Sequence, residues 1–296
     1  MNKKGIILTD YKFWNGAIEK LYQLNKLLKF DFYVVSERFS SIYIPKEILK
    51  PINPRFLPEL LRSYEILFTV DRTIEYARFF PRKSKHIHYW STFLSLRETD
   101  IKPSFVFTAS KYILSLGRNT FYLGPIIDLK HPSPKRNSKH RILFIGSFYR
   151  DDIKNVLFLE HLAETFPDVE FLVVGKGTEK LKNLPNLKKL GYLLRPYHLF
   201  RKASIFILPS KKDTNPLSIY HALVNGLQVL TVPIPQVLEE VGEFIKVSSL
   251  DYFTEELENL LREQPKLNYE ASNFCRRKYS LENYRWAIEL ILEGKG

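Results

Sequence analysis

The sequence has one cysteine and one methionine. A lone thiol, Cys275, excludes an intramolecular disulfide and a cysteine-rich metal site. Long apolar runs are missing too. The opening MNKKGIILTD has a short apolar stretch that meets an acid at Asp10. That is too short for the apolar region of a signal peptide and far too short to span a bilayer. The expectation is a soluble, cytoplasmic protein. No internal repeat or low-complexity tract is visible, which speaks against a solenoid or a disordered tail.

What is present is apolar material and positive charge. The chain has 296 residues, 45% of them apolar, enough for two packed cores at about 150 residues per domain. The formal charge is +13. Residues 1–138 carry 23 Lys+Arg against 12 Asp+Glu, a net of +11, and the remainder is nearly balanced. A basic first half favours anionic partners: a membrane surface, a phosphorylated acceptor or a nucleic acid. The plainer alternative is charge kept for solubility. Few Cys and Met with abundant Lys and Glu would also suit a heat-adapted protein.

The segment HPSPKRNSKHR, His131 to Arg141, separates two patterned halves with prolines and basic residues, as a linker does. The expected organisation is a domain over 1–130, a linker over 131–140, a second domain over 141–278 and a closing stretch over 279–296 that packs back on the first. In the second half, strands are predicted at Arg141–Gly146, Glu170–Gly175, Leu187–Gly191, Ser204–Leu208 and Gln228–Val232. Helices are predicted at Lys154–Phe166, Tyr197–Ala203 and Leu217–Asn225, the last with Gly226 as its C-cap. Such alternation implies βαβ units and a parallel sheet covered on both faces. Ligands of such sheets bind beyond the carboxyl ends of the strands, where Gly146, Gly175 and Ser210 fall.

The first half repeats the logic. Strands are predicted at Gly5–Leu8, Phe32–Val35, Ile66–Val70, His86–Trp90, Phe105–Thr108 and Thr120–Leu123. Helices are predicted at Ala17–Leu28, entered through Asn15-Gly16, after Ser110, and at Ser280–Leu292. The expected fold class is α/β, with two Rossmann-like domains facing a shared cleft.

Several stretches then line up in order. They are Ile145-Gly146-Ser147-Phe148 with Lys154-Asn155-Val156, Phe171 to Gly177, and Leu190-Gly191-Tyr192 with Leu199 and Ala203. Leu208-Pro209-Ser210 follows, with Pro216-Leu217, Ala222-Leu223 and Gly226, and then Tyr279-Ser280-Leu281-Glu282. In the first half, Asn15-Gly16-Ala17 with Glu19-Lys20, and Leu123 to Asp128, add two more. Together they resemble the nucleotide-sugar glycosyltransferases of the GT-B fold, in particular the retaining family-4 group. The resemblance covers most of residues 130–296 and patches of the first half, whose domain looks shorter than is usual.

The resemblance implies transfer of a sugar from a nucleotide-diphosphate donor to an acceptor hydroxyl, with no metal and no other cofactor. Asp213 and His221, eight residues apart, fall on the two acids of the family's Glu-x7-Glu pair. The first of those acids lies beside the donor sugar and the second takes hydrogen bonds from the ribose. Asp213 keeps a carboxylate on a shorter arm. His221 can pair with a hydroxyl through a neutral ring nitrogen but is no longer an anion. The plainer readings are a loop acid and a half-buried helical histidine.

A departing diphosphate needs cations and backbone N–H groups. Lys154 is the candidate cation, the alternative being a solvated lysine at a helix N-terminus. Arg150 could assist, since Ser147 stands where relatives place an arginine. The amides of Leu217 and Ser218, just past Asn215, open a predicted helix and suit an anion. Gly16 could do the same in the first domain, or be a plain turn glycine. Tyr192 to Arg195 follows a strand end where relatives bind the base; the alternative is a loop with an exposed arginine. His86 and His88 project to one side of a strand. Relatives place a histidine near such a strand end, close to the sugar carbons, and His88 fits that position. The alternative is two partly exposed histidines on an edge strand.

Between Tyr76 and Arg97, Arg78, Arg82, Lys83 and Lys85 interleave with Phe79, Phe80, Tyr89, Trp90 and Phe93. That pattern suits a membrane interface or single-stranded nucleic acid. Core aromatics with a basic rim would read the same way. A lipid-linked or membrane-proximal acceptor, with peripheral attachment to the inner membrane face, fits the net charge of +11 in the first half. Two rival classes stay open: a non-catalytic GT-B-like protein that binds nucleic acid or an anionic surface, and a glycosyltransferase that modifies DNA.

Overall fold

The structure is a computed structural model that describes residues 4–12, 15–38, 42–81, 84–90, 101–111, 119–127, 139–147 and 151–293. Arg150, Arg82, Lys83, Phe93, Arg97, Asp128, most of the linker and the stretch predicted to be helical after Ser110 lie outside the described residues. The chain divides into two compact units, Met1–Ile126 with Tyr279–Gly296, and Ile127–Lys278.

The first unit is built on a parallel sheet. Its strands are β1 (Gly5–Thr9), β2 (Asp31–Val35), β3 (Lys50–Ile52), β4 (Ile66–Val70), β5 (Lys85–Trp90), β6 (Phe105–Thr108) and β7 (Thr120–Tyr122), in the order β3-β2-β1-β4-β5-β6-β7. The order reverses between β1 and β4, the doubly wound pattern. Helix α1 (Gly16–Leu28) starts where Asn15 accepts a hydrogen bond from the Ile18 amide, and it ends at Lys29, whose φ is 59°. Ile18, Leu21, Leu24 and Leu28 form its buried stripe, set against Ile7, Phe68, Ile87 and Phe107 on one sheet face. The opposite face packs Ile6, Leu8, Leu67 and Phe80 with Leu57 and Leu61 of α2 (Leu57–Leu61).

The first unit holds three departures from the sequence reading. The edge strand β3 contains Pro51, which cannot donate to a ladder and hides the strand in the sequence. A 3-10 helix, Asp71–Phe79, follows β4 directly. β5 lies between β4 and β6, not at an edge, so His86 and His88 are interior. The closing stretch is a 3-10 turn, Leu281–Tyr284, and α10 (Arg285–Glu293), whose Ala287, Leu290 and Ile291 join the core beside α1. Tyr284 donates to the Pro125 carbonyl at 2.7 Å. Lys85 donates to the Ile291 carbonyl at 2.9 Å, in the last turn of α10, where a cation suits the helix dipole.

The second unit has strands β8 (Arg141–Ile145), β9 (Glu170–Val174), β10 (Leu187–Lys189), β11 (Ile205–Leu208), β12 (Gln228–Thr231) and β13 (Lys246–Val247), in the order β10-β9-β8-β11-β12-β13, all parallel. Its reversal lies between β8 and β11. The helix expected over Lys154–Phe166 is two pieces, α3 (Asp151–Lys154) and α4 (Phe158–Thr165). Asn155, at φ 52°, breaks the run between them. Lys154 therefore ends a helix where the alternative reading had it opening one. Helix α5 (Tyr197–Phe200) is shorter than expected, and α6 is Leu217–Val224. Asn225 is the α6 C-cap, and Gly226 takes φ 74° one residue later. Gly226 donates to the Leu223 carbonyl at 2.8 Å and Leu227 to the Ala222 carbonyl at 3.0 Å, a Schellman ending. Helices α7 (Pro235–Val241), α8 (Phe253–Arg262) and α9 (Tyr269–Lys278) complete the unit.

Candidate functional site

In the second unit backbone hydrogen bonds tie the carboxyl ends of β8 and β9 to one another and to the stretch that follows β10. The Gly146 amide donates to the Val174 carbonyl and the Gly175 amide to the Gly191 carbonyl, each at 2.9 Å. Gly175 has φ 153°, and a Cβ there would lie 1.8 Å from the Gly146 carbonyl oxygen. No side chain fits between these two strand ends. Ser147, exposed, follows at the tip of β8.

The loop after β11 brings two of the expected residues together. Lys154, from the end of α3, donates through Nζ to Asp213 Oδ2, although the two lie 59 residues apart. The other carboxylate oxygen accepts the Thr214 amide at 2.9 Å, and the Lys211 amide donates to the Ile153 carbonyl at 2.7 Å. Two contacts thus join α3 to this loop. The side chains of Lys154 and Asp213 are 28% and 14% exposed, half out of water and within reach of a ligand.

Past Asn215, α6 begins at Leu217 with Pro216 as its cap. A proline side chain cannot accept from the first-turn amides, so Leu217 and Ser218 N–H groups have no side-chain cap and no intrahelical acceptor. The N-terminus of α6 is therefore electropositive beside the Lys154–Asp213 pair. The buried Ser210 hydroxyl, at the end of β11, has no hydrogen-bond partner among the described residues.

His221 lies one turn into α6, on the side that begins with Ser218. It is 3% exposed, with its ring 4.9 Å from that of Tyr197 and 5.8 Å from that of Phe200. Aromatic packing between α5 and α6 thus surrounds the position where the sequence suggested a ribose partner. Tyr192 and Arg195 are half-buried in the stretch between Gly191 and α5, which the Gly175–Gly191 hydrogen bond anchors. Tyr197 and Phe200 carried no sequence signal beyond helical spacing.

In the first unit, Gly16 opens α1 behind the Asn15 cap. His88 departs from its expected place. It has no exposed surface, so a substrate has no access to the ring in this structure. Its Nδ1 lies 2.7 Å from Thr69 Oγ1, and His86 Nε2 lies 2.8 Å from the same hydroxyl. One hydroxyl can donate to one ring and accept from the other, which ties two neutral imidazoles together. The His88 ring meets Trp90 edge-on at 4.2 Å. Burial lowers the His86 pKa from 6.5 to about 4, and burial with the neighbouring His86 pushes His88 well below its ordinary value.

The basic and aromatic run divides as well. Phe80, Tyr89 and Trp90 are core, Lys85 caps α10, and Arg78 and Phe79 are exposed. Among the described residues no helix is long and apolar enough to cross a membrane, and no three His, Cys, Asp or Glu side chains gather as a metal-holding group. A groove of about 700 Å³ lined by Arg141, Asp168, Glu170, Lys202 and Arg262 lies at the amino ends of β8 and β9, the opposite edge from Gly146 and Gly175.

Residues 139–263 match the family of glycosyl transferases group 1. No curated protein matches the sequence. Among solved structures, HepE of Anabaena, in complex with UDP and glucose, superposes with a TM-score of 0.78 at 12% identity, over 99% of this chain and 100% of that one. Sucrose-phosphate synthase from Thermosynechococcus elongatus gives 0.71 at 11% identity over 97% of each chain. A G117R mutant of TarM from S. aureus, in complex with Fondaparinux, alpha-GlcNAc-glycerol and UDP, gives 0.66 at 14% identity, over 81% of this chain and 58% of that one. Identities this low speak for the fold, which is the GT-B fold with two Rossmann-like units. The chain thus has the GT-B fold, and within it residues 139–263 are similar to the glycosyl transferases group 1 family.

Proposed function

We propose that the second unit binds a nucleotide-diphosphate sugar at the carboxyl ends of β8, β9 and β11 and transfers the sugar, with retention, to an acceptor hydroxyl. The observation that carries this reading is the joining of Lys154 and Asp213 beside the uncapped start of α6. Lys154 and the amides of Leu217 and Ser218 stabilise the departing diphosphate, with Ser147 and Arg150 as further donors. Asp213 accepts hydrogen bonds from the sugar. Gly175, Tyr192, Arg195, Asn215 and His221 hold the nucleoside side. The bond from the sugar's anomeric carbon to the phosphate oxygen breaks as the bond to the acceptor oxygen forms on the same face. The acceptor's proton passes to the released phosphate oxygen, so the step needs no separate base. His88 lies buried in the first unit's sheet, and Gly16, half-buried at the start of α1, offers its backbone to an anionic ligand.

The test is hydrolysis or transfer from a panel of UDP-, GDP- and ADP-sugars. Release of one nucleotide is expected in the wild type and is expected to fall at least about a hundredfold in Lys154→Ala and Asp213→Ala. Undiminished release in both variants would remove the donor site from this place.

The acceptor we assign to the first unit, and to a lipid or membrane-proximal class. Exposed arginine–aromatic neighbours support this: Arg55 with Phe56, 64% exposed, and Arg78 with Phe79, 44% exposed, in the half that carries the basic surplus. Reversing Arg55 and Arg78 to glutamate should weaken binding to vesicles rich in phosphatidylglycerol by about tenfold or more, at about 1 kcal/mol for each basic residue near the surface. Equal binding would sink the lipid assignment and leave the donor site standing.

A further inference from the structure

Lys154 and Asp213 are each other's counter-ion in a place half out of water. Losing one partner from such a pair leaves a desolvated charge, which costs more than the pair contributes. Whatever separates these two must therefore satisfy both. A sugar nucleotide can: its diphosphate oxygens replace the carboxylate at Lys154, and its sugar hydroxyls replace the ammonium at Asp213. A nucleoside diphosphate replaces only the first. It leaves Asp213 with one backbone amide, from Thr214, and sets a diphosphate with one more ionisable oxygen than that of the sugar nucleotide beside an uncompensated carboxylate.

We propose that the Lys154–Asp213 ion pair is a latch that discriminates sugar nucleotides from nucleoside diphosphates, opening at full gain only for a ligand that carries both diphosphate and sugar. This rests on the donor reading of the site. The anchoring supports it, because the Lys211–Ile153 hydrogen bond keeps the two loops together while the side chains exchange partners. After transfer the sugar has left and Asp213 is again without hydroxyl donors. Lys154 is then drawn back to it, and the product diphosphate is released. The class that competes with substrate for most transferases, the free nucleoside diphosphate, is thereby held off without any extra contact.

The experiment compares three matched pairs by calorimetry, UDP with UDP-glucose, GDP with GDP-mannose and ADP with ADP-glucose, on wild type, Asp213→Asn and Asp213→Ala. Circular dichroism and thermal melting verify that each variant is folded. In the pair that binds, removing the carboxylate should tighten the nucleoside diphosphate about tenfold while weakening the sugar nucleotide, so the preference inverts. A structural role for Asp213 would weaken both ligands together. If the wild type binds a pair but neither variant gains affinity for its nucleoside diphosphate, the latch is wrong and the donor site survives. If the wild type binds none of the six, the donor reading falls, and the latch with it.

Discussion

Acidifying the protein from about pH 7.5 to about pH 5 should remove about 2 kcal/mol of stability through His86 alone, with His88 acting in the same direction. Burial holds the folded pKa of His86 at about 4 and that of His88 well below 6.5. An unfolded histidine titrates near 6.5. Between these values the unfolded chain binds protons that the folded chain refuses, so the unfolding free energy falls as pH falls. The stability is fully present above roughly pH 6.5, and the His86 share is gone once pH passes below its folded value. Even about 2 kcal/mol is a sizeable part of the usual stability of a domain. The check is urea unfolding across this window for wild type and a His86→Gln/His88→Asn double variant. Glutamine places its amide where His86 Nε2 meets Thr69, and asparagine does the same for His88 Nδ1. The double variant should lose the slope. An unchanged slope would trace acid lability to other groups.

These histidines also mark where the sequence stopped being informative. Their projection to one side of a strand follows from the period of two and is present in the structure. Their position inside a sheet of parallel strands is not written locally, because strand order depends on where each crossover returns. An interior place turns the same two residues from partly exposed histidines into a dry, neutral, hydroxyl-bridged pair. Lys85 shows a similar limit. It reads as part of a basic stripe, yet its partner is a carbonyl on α10, more than two hundred residues away.

The second unit was more legible because its signals are local and punctuated. Apolar runs ending in glycine or Pro209-Ser210 mark β8, β9 and β11, and Asn225-Gly226 closes α6 through a Schellman ending that glycine makes easy. The break at Asn155 escaped, since the apolar spacing runs through it and only a left-handed φ reveals the stop. Lys154 and Asp213 were each picked out by motif and chemistry. Their mutual pairing depends on how the α3 end and the β11 loop meet, which no spacing encodes. His221 was placed on the right helix, but its enclosure by Tyr197 and Phe200 comes from the α5–α6 packing.

The glycine rim leads to the second large effect, Gly175→Ala. A methyl at this position would sit 1.8 Å from the Gly146 oxygen, 2.6 Å from its carbonyl carbon and 3.1 Å from the Ser147 amide. All three are backbone atoms, so no rotamer change relieves the clash, and the φ of 153° is itself costly for an L residue. The ends of β8 and β9 must separate, taking the Gly146–Val174 and Gly175–Gly191 hydrogen bonds with them. The expected cost is about 3 kcal/mol or more, from steric strain and lost buried hydrogen bonds together. Gly191→Ala is the matched control: its φ is 65°, but nothing lies within 4 Å of an added methyl, so about 1 kcal/mol of backbone strain is all it should lose. Gly146→Ala falls between, because its methyl meets the Phe144 ring at 2.6 Å, and a side chain can yield where a peptide cannot. Denaturant melts of the three variants should rank them 175, 146, 191 from most to least damaged. Sugar-nucleotide binding should vanish in whatever Gly175→Ala protein folds, since the separated strand ends are the floor on which Ser147 and the Lys154–Asp213 pair are set. Equal costs at 175 and 191 would mean that backbone conformation alone, and not the contact between strand ends, explains the glycine.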